Sequence, residues 1–360
     1  MKKFIAAIPL LIALPAVAQS GVTIYGIIDN GVEYVSNVNA AGQSVVKMPA
    51  NTSITSRLGF KGTEDLGGGM TANFVLENGF TPDTGGLAQG GRLFGRQSNV
   101  SLGTPYGSFI LGRQYSMLFY SMLSADVLGP NLFGSGALDS YIPNTRVDNT
   151  VGYMHKIANT AFGATYSLGR DTSAAGGPAA TNCAGETASD TKACKEWSLY
   201  AKYDVPGWGV SVGYDKLYGA PGVVFGGTSA LRLSDYYDAR TNISGYVDIG
   251  NLRLGIGWIG RKNVSAASYK QDLAFIGASY WTGPWSYEAE LFSYTKRNSP
   301  DDSMMLASRI TYYLSKRTAL YVTGGYLINK GNAANTVDGV TGAGVGMNQV
   351  GIASGIRHTF

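Results

Sequence analysis

Few residues in this 360-residue chain have a type and spacing that could do chemistry. The stretch GIGWIG, residues 255–260, matches G-x-G-x-x-G, a spacing that lets a dinucleotide pyrophosphate approach the backbone when a helix follows directly. Here Trp258 fills the variable part and the surrounding residues alternate as in a strand, so no nucleotide site is expected. The glycines are expected to serve strand twist or the close approach of a neighbour. Histidine occurs only at His155 and His358, so a Ser-His nucleophilic pair would depend on His155 alone. Cys183 and Cys194 lie in a polar Gly/Ala/Thr-rich stretch without nearby histidine, which suits a disulfide better than a metal site. Such a link would add roughly 3 kcal/mol in the chain-entropy account. No metal, cofactor or enzymatic activity is expected. What remains is ionic: Arg57 and Lys61 alternate with Leu58 and Phe60, and Glu77 with Leu76 and Asn78. In WSYEAELFSY, Glu288 and Glu290 alternate with Tyr287, Ala289 and Leu291. Charges that share one face of a strand can steer ions.

The elements that must position them read as strands. From the C-terminus, Phe360, His358, Ile356, Ser354, Ile352 and Val350 are interleaved with Thr359, Arg357, Gly355, Ala353, Gly351 and Gln349. That is the period-two signature of two unlike faces. Sixteen such stretches follow Val22, at 22–35, 54–65, 69–80, 93–103, 107–114, 147–156, 160–169, 196–204, 208–219, 238–248, 251–262, 271–281, 285–296, 303–314, 317–329 and 348–360. Short Gly-, Pro- or Asn-bearing links such as DLGGG (65–69), GTPYG (103–107) and TGPW (282–285) alternate with long ones, the longest at 115–146. A sandwich gives no reason for every second connection to be short; a transmembrane barrel does. Lipid leaves backbone groups unsatisfied, so a spanning sheet must close on itself. The expected fold is all-β, a 16-stranded antiparallel transmembrane barrel around an aqueous channel. Val22, Ile24 and Ile28 are expected outside, and Thr23, Tyr25 and Asp29 inside. Trp258, Trp281, Trp285, Tyr313 and Tyr321 are candidates for interfacial aromatic girdles.

Address and composition agree with this. MKKFIAAIPLLIALPAVAQS has Lys2 and Lys3, a short apolar run and Ala16-Val17-Ala18, the pattern of a secretory leader cut after Ala18. The expected organisation is a leader over 1–18 and one barrel domain over 19–360, with both ends at the periplasmic rim. Twenty-eight basic and 24 acidic residues leave the mature chain nearly balanced, with no basic run to suggest nucleic acid. No long apolar stretch follows the leader, which excludes a helical membrane protein.

Several blocks resemble one family. GVTIYGIIDNGVEY, SRLGFKGTEDLGGGMTANFVLENGF (56–80), LFGRQSNVSLGTPYGSFILGRQY (93–115), LSKRTALYVTGGYLINK (314–330) and VGIASGIRHTF (350–360) are similar in combination to general porins of beta-proteobacteria. The resemblance implies a homotrimer in the cell outer membrane, among outer-membrane lipids and lipopolysaccharide, that passes ions and small hydrophilic solutes passively. It implies that the connection after the fifth strand folds inward as a constriction loop. It also implies that the terminal Phe360 is read by the outer-membrane assembly machinery.

By motif, Arg57, Arg96 and Arg146 correspond to a basic cluster at the constriction, with Lys61 beside Arg57. Glu77 and Asp126 are the expected acidic counterparts, with Asp139 a further carboxylate able to neutralise the arginines. Arg96 shares parity with Val100 and Leu102, so its side is open; Gln97, Asn99 and Ser101 facing outward would turn it inward. Tyr115, Phe119 and Tyr120 could bias permeation. The resulting expectation is weak anion selectivity, against a solute-specific channel or a secreted β-rich adhesin.

Overall fold

In a computed structural model, residues 21–175, 180–223 and 231–360 are described; the expected leader, 1–18, lies outside them. Among the described residues nineteen strands form one sheet, and three of these are two- or three-residue pieces within loops, at 45–47, 86–87 and 146–147. The other sixteen are β1 (Val22–Val35), β2 (Arg57–Gly67), β3 (Met70–Thr81), β4 (Gln97–Thr104), β5 (Gly107–Tyr115), β6 (Thr150–Ile157), β7 (Thr160–Ser167) and β8 (Glu196–Val205). They continue as β9 (Trp208–Tyr218), β10 (Tyr237–Ile249), β11 (Leu252–Val264), β12 (Tyr269–Thr282), β13 (Trp285–Lys296), β14 (Ser303–Tyr313), β15 (Thr318–Asn329) and β16 (Gln349–Thr359). Each runs antiparallel to its neighbours, and the sheet closes because β1 pairs with β2 through Val22–Ile27 and with β16 through Ile27–Val35.

The last residue seals that seam. The Gly26 N–H donates to the Phe360 carbonyl and the Phe360 N–H to the Gly26 carbonyl, at 3.1 and 3.0 Å. The Phe360 ring lies where a side chain at Gly26 would be. Both barrel ends therefore sit at the short-turn rim, where Gly67, Gly68 and Gly69 all take positive φ to reverse the chain between β2 and β3.

Alternation builds the two faces. Along β13, Trp285, Tyr287, Ala289 and Leu291 are exposed while Ser286, Glu288 and Glu290 are buried. The interior is not uniformly polar, however. Leu273 and Phe275 of β12, Phe292 of β13, Met305 of β14 and Leu327 of β15 also face inward and are buried. They form an apolar core with Leu128 and Phe133 of the connection after β5. That connection carries α1 (Met117–Met122) and α2 (Ser135–Leu138) and is laid against the inner wall. A Cβ at Gly255 of β11 would collide with the Ala125 carbonyl, and one at Gly277 of β12 would meet Val127. Phe133 fills the space left by Gly325 of β15 and Gly351 of β16. The glycines of GIGWIG thus serve close approach, with Gly257 making room for the Phe275 ring.

Hydrogen bonds fix the same path. The Met117 N–H donates to Ser198 Oγ at 2.8 Å, and Asn131 Nδ2 to Thr323 Oγ1 at 3.0 Å. At the tip, the Leu132 N–H donates to the Thr52 carbonyl at 2.8 Å, which ties the inward loop to the first long loop. The aromatic expectations divide. Trp258 and Trp285 have outward parity, whereas Tyr321 is buried inside and its hydroxyl donates to Asp29. Trp281 and Tyr313 stack on one another, centroids 5.4 Å apart, at the inward parity of the short-turn rim. The sixth strand starts three residues later than expected because Asn149, at φ 50°, breaks the chain after 146–147.

Candidate functional site

Four cations lie on the β2–β5 side, where one of them, Arg96, pairs with the Glu77 carboxylate. Arg57 opens β2 on the inner face and its Nε donates to the Thr55 carbonyl at 3.1 Å. Arg96 precedes β4; its Nε donates to Glu77 Oε1 at 2.6 Å and its Nη2 to the Tyr115 hydroxyl at 2.7 Å. Arg146 follows the inward loop and donates to the Pro143 carbonyl at 2.8 Å and to the same Tyr115 hydroxyl at 2.7 Å. Its guanidinium lies over the Tyr115 ring, 4.4 Å from the centroid. Lys61 sits 5.4 Å from the Tyr25 ring centroid, and the Tyr25 hydroxyl donates to Glu77 Oε2 at 3.0 Å. Burial pushes the Arg146 guanidinium down to about 10, which leaves it cationic at neutral pH.

The arginines, Lys61 and Glu77 are thus brought together, and Asp126 is not. The Asp126 carboxylate accepts from the Gly129 N–H at 2.7 Å and Ser135 Oγ at 3.0 Å, and its other neighbours are Glu290 and Arg309. Burial raises its pKa, since a desolvated carboxyl favours its neutral form. The expectation that it opposes the arginines is corrected: the inward loop is held flat against β11–β13, which carries Asp126 to the far wall. Asp139 does not neutralise the cluster either. It takes a two-pronged ion pair from Arg240 of β10, at 2.7 and 2.9 Å.

Parity on β4 is resolved in the opposite sense to the one that would have turned Arg96 inward. Val100 and Leu102 are exposed outside, at 53% and 43%, and Gly103 faces in against Thr71. Arg96 still points inward because it lies ahead of the ladder and is free of its alternation.

Tyr115, which joins two of the arginines, was legible only as an aromatic near the constriction. Its link to the guanidiniums depends on Gly112, at φ 112°, which breaks the β5 alternation just before it. Arg309 of β14 and Arg357 of β16 went unread. Arg309 donates to Glu288 at 2.8 Å and to the Ser53 carbonyl at 3.3 Å, and Arg357 to Ser53 Oγ at 3.4 Å. Residues 209–213 read G-x-S-x-G, yet they run straight through β9, and Ser211 Oγ donates to the Ser121 carbonyl at 2.5 Å. A nucleophile elbow needs a strand-to-helix turn, so the serine is structural. Cys183 and Cys194 are joined as a disulfide within the long loop after β7.

A family model described as Gram-negative porin matches residues 5–332. Outer membrane porin protein 32 of Delftia acidovorans is 30% identical over 378 residues, covering 100% of both chains. An outer membrane porin of Bordetella pertussis is 29% identical over 415 residues, again over 100% of both. Among solved structures, an anion-selective porin from Comamonas acidovorans superposes with a TM-score of 0.77 at 25% identity, over 95% of this chain and 100% of that one.

Proposed function

The chain belongs to the Gram-negative porin family, a family of outer-membrane channels, and from that premise we propose that it is a general diffusion porin with weak anion selectivity. The observation that carries the selectivity is the excess of Arg57, Arg96, Arg146 and Lys61 over Glu77 on one wall. Anion selectivity in the Comamonas acidovorans structure supports the same reading. The test is a reversal potential across a tenfold KCl gradient in planar bilayers. Its sign should report chloride permeating faster than potassium, and a cation-selective potential overturns the proposal.

The working form we propose is a homotrimer in contact with outer-membrane lipids and lipopolysaccharide. Strands β4, β6 and β7 have eight residues each and β5 has nine. At about 3.3 Å per residue and a tilt of about 40°, eight residues rise only about 20 Å, short of the roughly 25 Å apolar band of an outer-membrane barrel. A wall that low is suited to face a neighbouring subunit. We further propose a leader over 1–18, a periplasmic location for both ends, and recognition of Phe360 by the assembly machinery.

A further inference from the structure

On the short-turn side of the inward loop the barrel wall holds a cavity of about 580 Å³, within the roughly 300–1,000 Å³ typical of small-molecule pockets. Its back is one row of the sheet. Asp248 of β10 pairs with Arg253 of β11, Arg253 with Ser279 of β12, Ser279 with Glu288 of β13, and Glu288 with Arg309 of β14. All five have inward parity and line the cavity. The charges in the row cancel. Arg253 Nε and Nη2 donate to the two Asp248 oxygens at 2.7 and 2.9 Å, and Arg309 Nε donates to Glu288 Oε2 at 2.8 Å. From the loop side, Asp126 is hydrogen-bonded to Gly129 and Ser135 and pushed by burial toward its neutral form. Arg357 is outside the lining, 5.9 Å from the Tyr313 ring centroid. The lining therefore has no net charge to offer an ion, unlike the arginine cluster. Two aromatic residues close the cavity toward the rim. Trp281 lies two residues beyond Ser279 and Tyr313 four beyond Arg309, and their rings stack across the small Ser286 of β13 with planes 29° from parallel. Trp281 is nevertheless 46% exposed, an indole left open inside the bore, where it neither anchors in a lipid interface nor packs in a core. The polar end is open too, since the Arg253 and Asp248 side chains are 39% and 34% exposed.

We propose that this cavity is a binding subsite for an uncharged sugar ring, its C–H face on the indole of Trp281 and its hydroxyls on Arg253, Asp248 and Ser279. A pyranose with equatorial hydroxyls has a face of C–H groups alone, and the negative face of an aromatic ring attracts them. Each Asp248 oxygen, already accepting one N–H from Arg253, keeps a lone pair for a sugar O–H, and the Ser279 hydroxyl can donate or accept. The proposal rests on the channel reading above and goes beyond it, since it makes passage saturable for one class of neutral solute at a place remote from the arginines.

The experiment measures KCl current through reconstituted channels while D-glucose or its open-chain reduction product sorbitol is added. Both are neutral six-carbon polyols of nearly equal size, and only glucose holds a rigid ring. Glucose should reduce the current saturably, on top of the linear decrease that sorbitol causes through viscosity. Trp281→Leu, which keeps an apolar side chain at the rim, should raise the half-saturating glucose concentration about fivefold, the factor to which about 1 kcal/mol of aromatic contact corresponds. Trp281→Phe, which keeps a flat face, should raise it less. Equal, linear effects of glucose and sorbitol on the wild-type channel overturn the subsite, and so does a half-saturating concentration unchanged by Trp281→Leu. The wild-type comparison decides alone should that variant fail to insert. The current before any sugar is added separates the two claims: conducting channels without saturable glucose block remove only the subsite, whereas membranes that stay electrically silent remove the underlying channel reading.

Discussion

Arg96 and Arg146 reach one hydroxyl, that of Tyr115, from two different connections, and Arg96 alone also meets Glu77. The roles of the cluster's members should therefore separate on mutation. A unit charge about 8 Å from a passing anion contributes about 0.5 kcal/mol even at the dielectric of water. The same charge disfavours potassium by as much, so Arg57→Ala should lower the chloride-to-potassium permeability ratio about fivefold, read from reversal potentials. In 1 M salt, where the Debye length is about 3 Å, most of that difference should vanish. Arg96→Ala should also destabilise the barrel, because it leaves Glu77 buried without its partner. A second residue-scale consequence concerns pH. Burial pushes the Asp139 carboxyl up, but the Arg240 guanidinium wins and holds it at about 2, below the roughly 3.9 of an unfolded aspartate. A depressed folded value means the stabilisation, roughly 2–3 kcal/mol, is fully present above about pH 4. It is lost as pH falls toward 2. Protease protection of the inward loop should persist at pH 4 and decline between pH 4 and 2, and Asp139→Asn should remove that pH dependence.

The inward loop depends on wall positions that have no side chain. Gly255→Val would drive a branched side chain into the Ala125 carbonyl, and the loop must yield because the β11 ladder cannot. The barrel should still form and still shift in mobility on heating, while sugars too large for the wild-type pore should enter liposomes in swelling assays. An unchanged sugar cutoff would show that the loop does not set the passage. The Cys183–Cys194 link belongs to a different element. Replacing both by serine should cost about 3 kcal/mol of local stability. That loss should appear as faster proteolysis within the loop after β7, with barrel melting unchanged.

For the molecule as a whole, the uneven height of the wall is the quantity that matters. Strands β10 to β12 have 13 or 14 residues and can span a bilayer unaided, whereas β4 to β7 cannot. Val100→Lys on the outer face of β4 should convert the unheated trimer band on detergent gels to monomer. Ile256→Lys on the outer face of β11 should hinder membrane insertion yet leave assembled trimers intact. Identical behaviour of the two variants would remove the assignment of the low wall to the subunit interface.

Sixteen strands, their order and the parity of most were legible in the sequence, because each strand is built from nearest-neighbour alternation and each short turn from local Gly, Pro or Asn chemistry. The disulfide followed for the same local reason. Three features were not legible. Arg96 faces inward although its parity matches Val100, because it stands just off the ladder. Phe275, Phe292 and Met305 break the polar interior because a segment remote in sequence lies over them, and Asp126 was carried to the far wall with that segment. Alternation assigns a side chain to a face; only the folded loop decides whether that face meets water or another part of the chain.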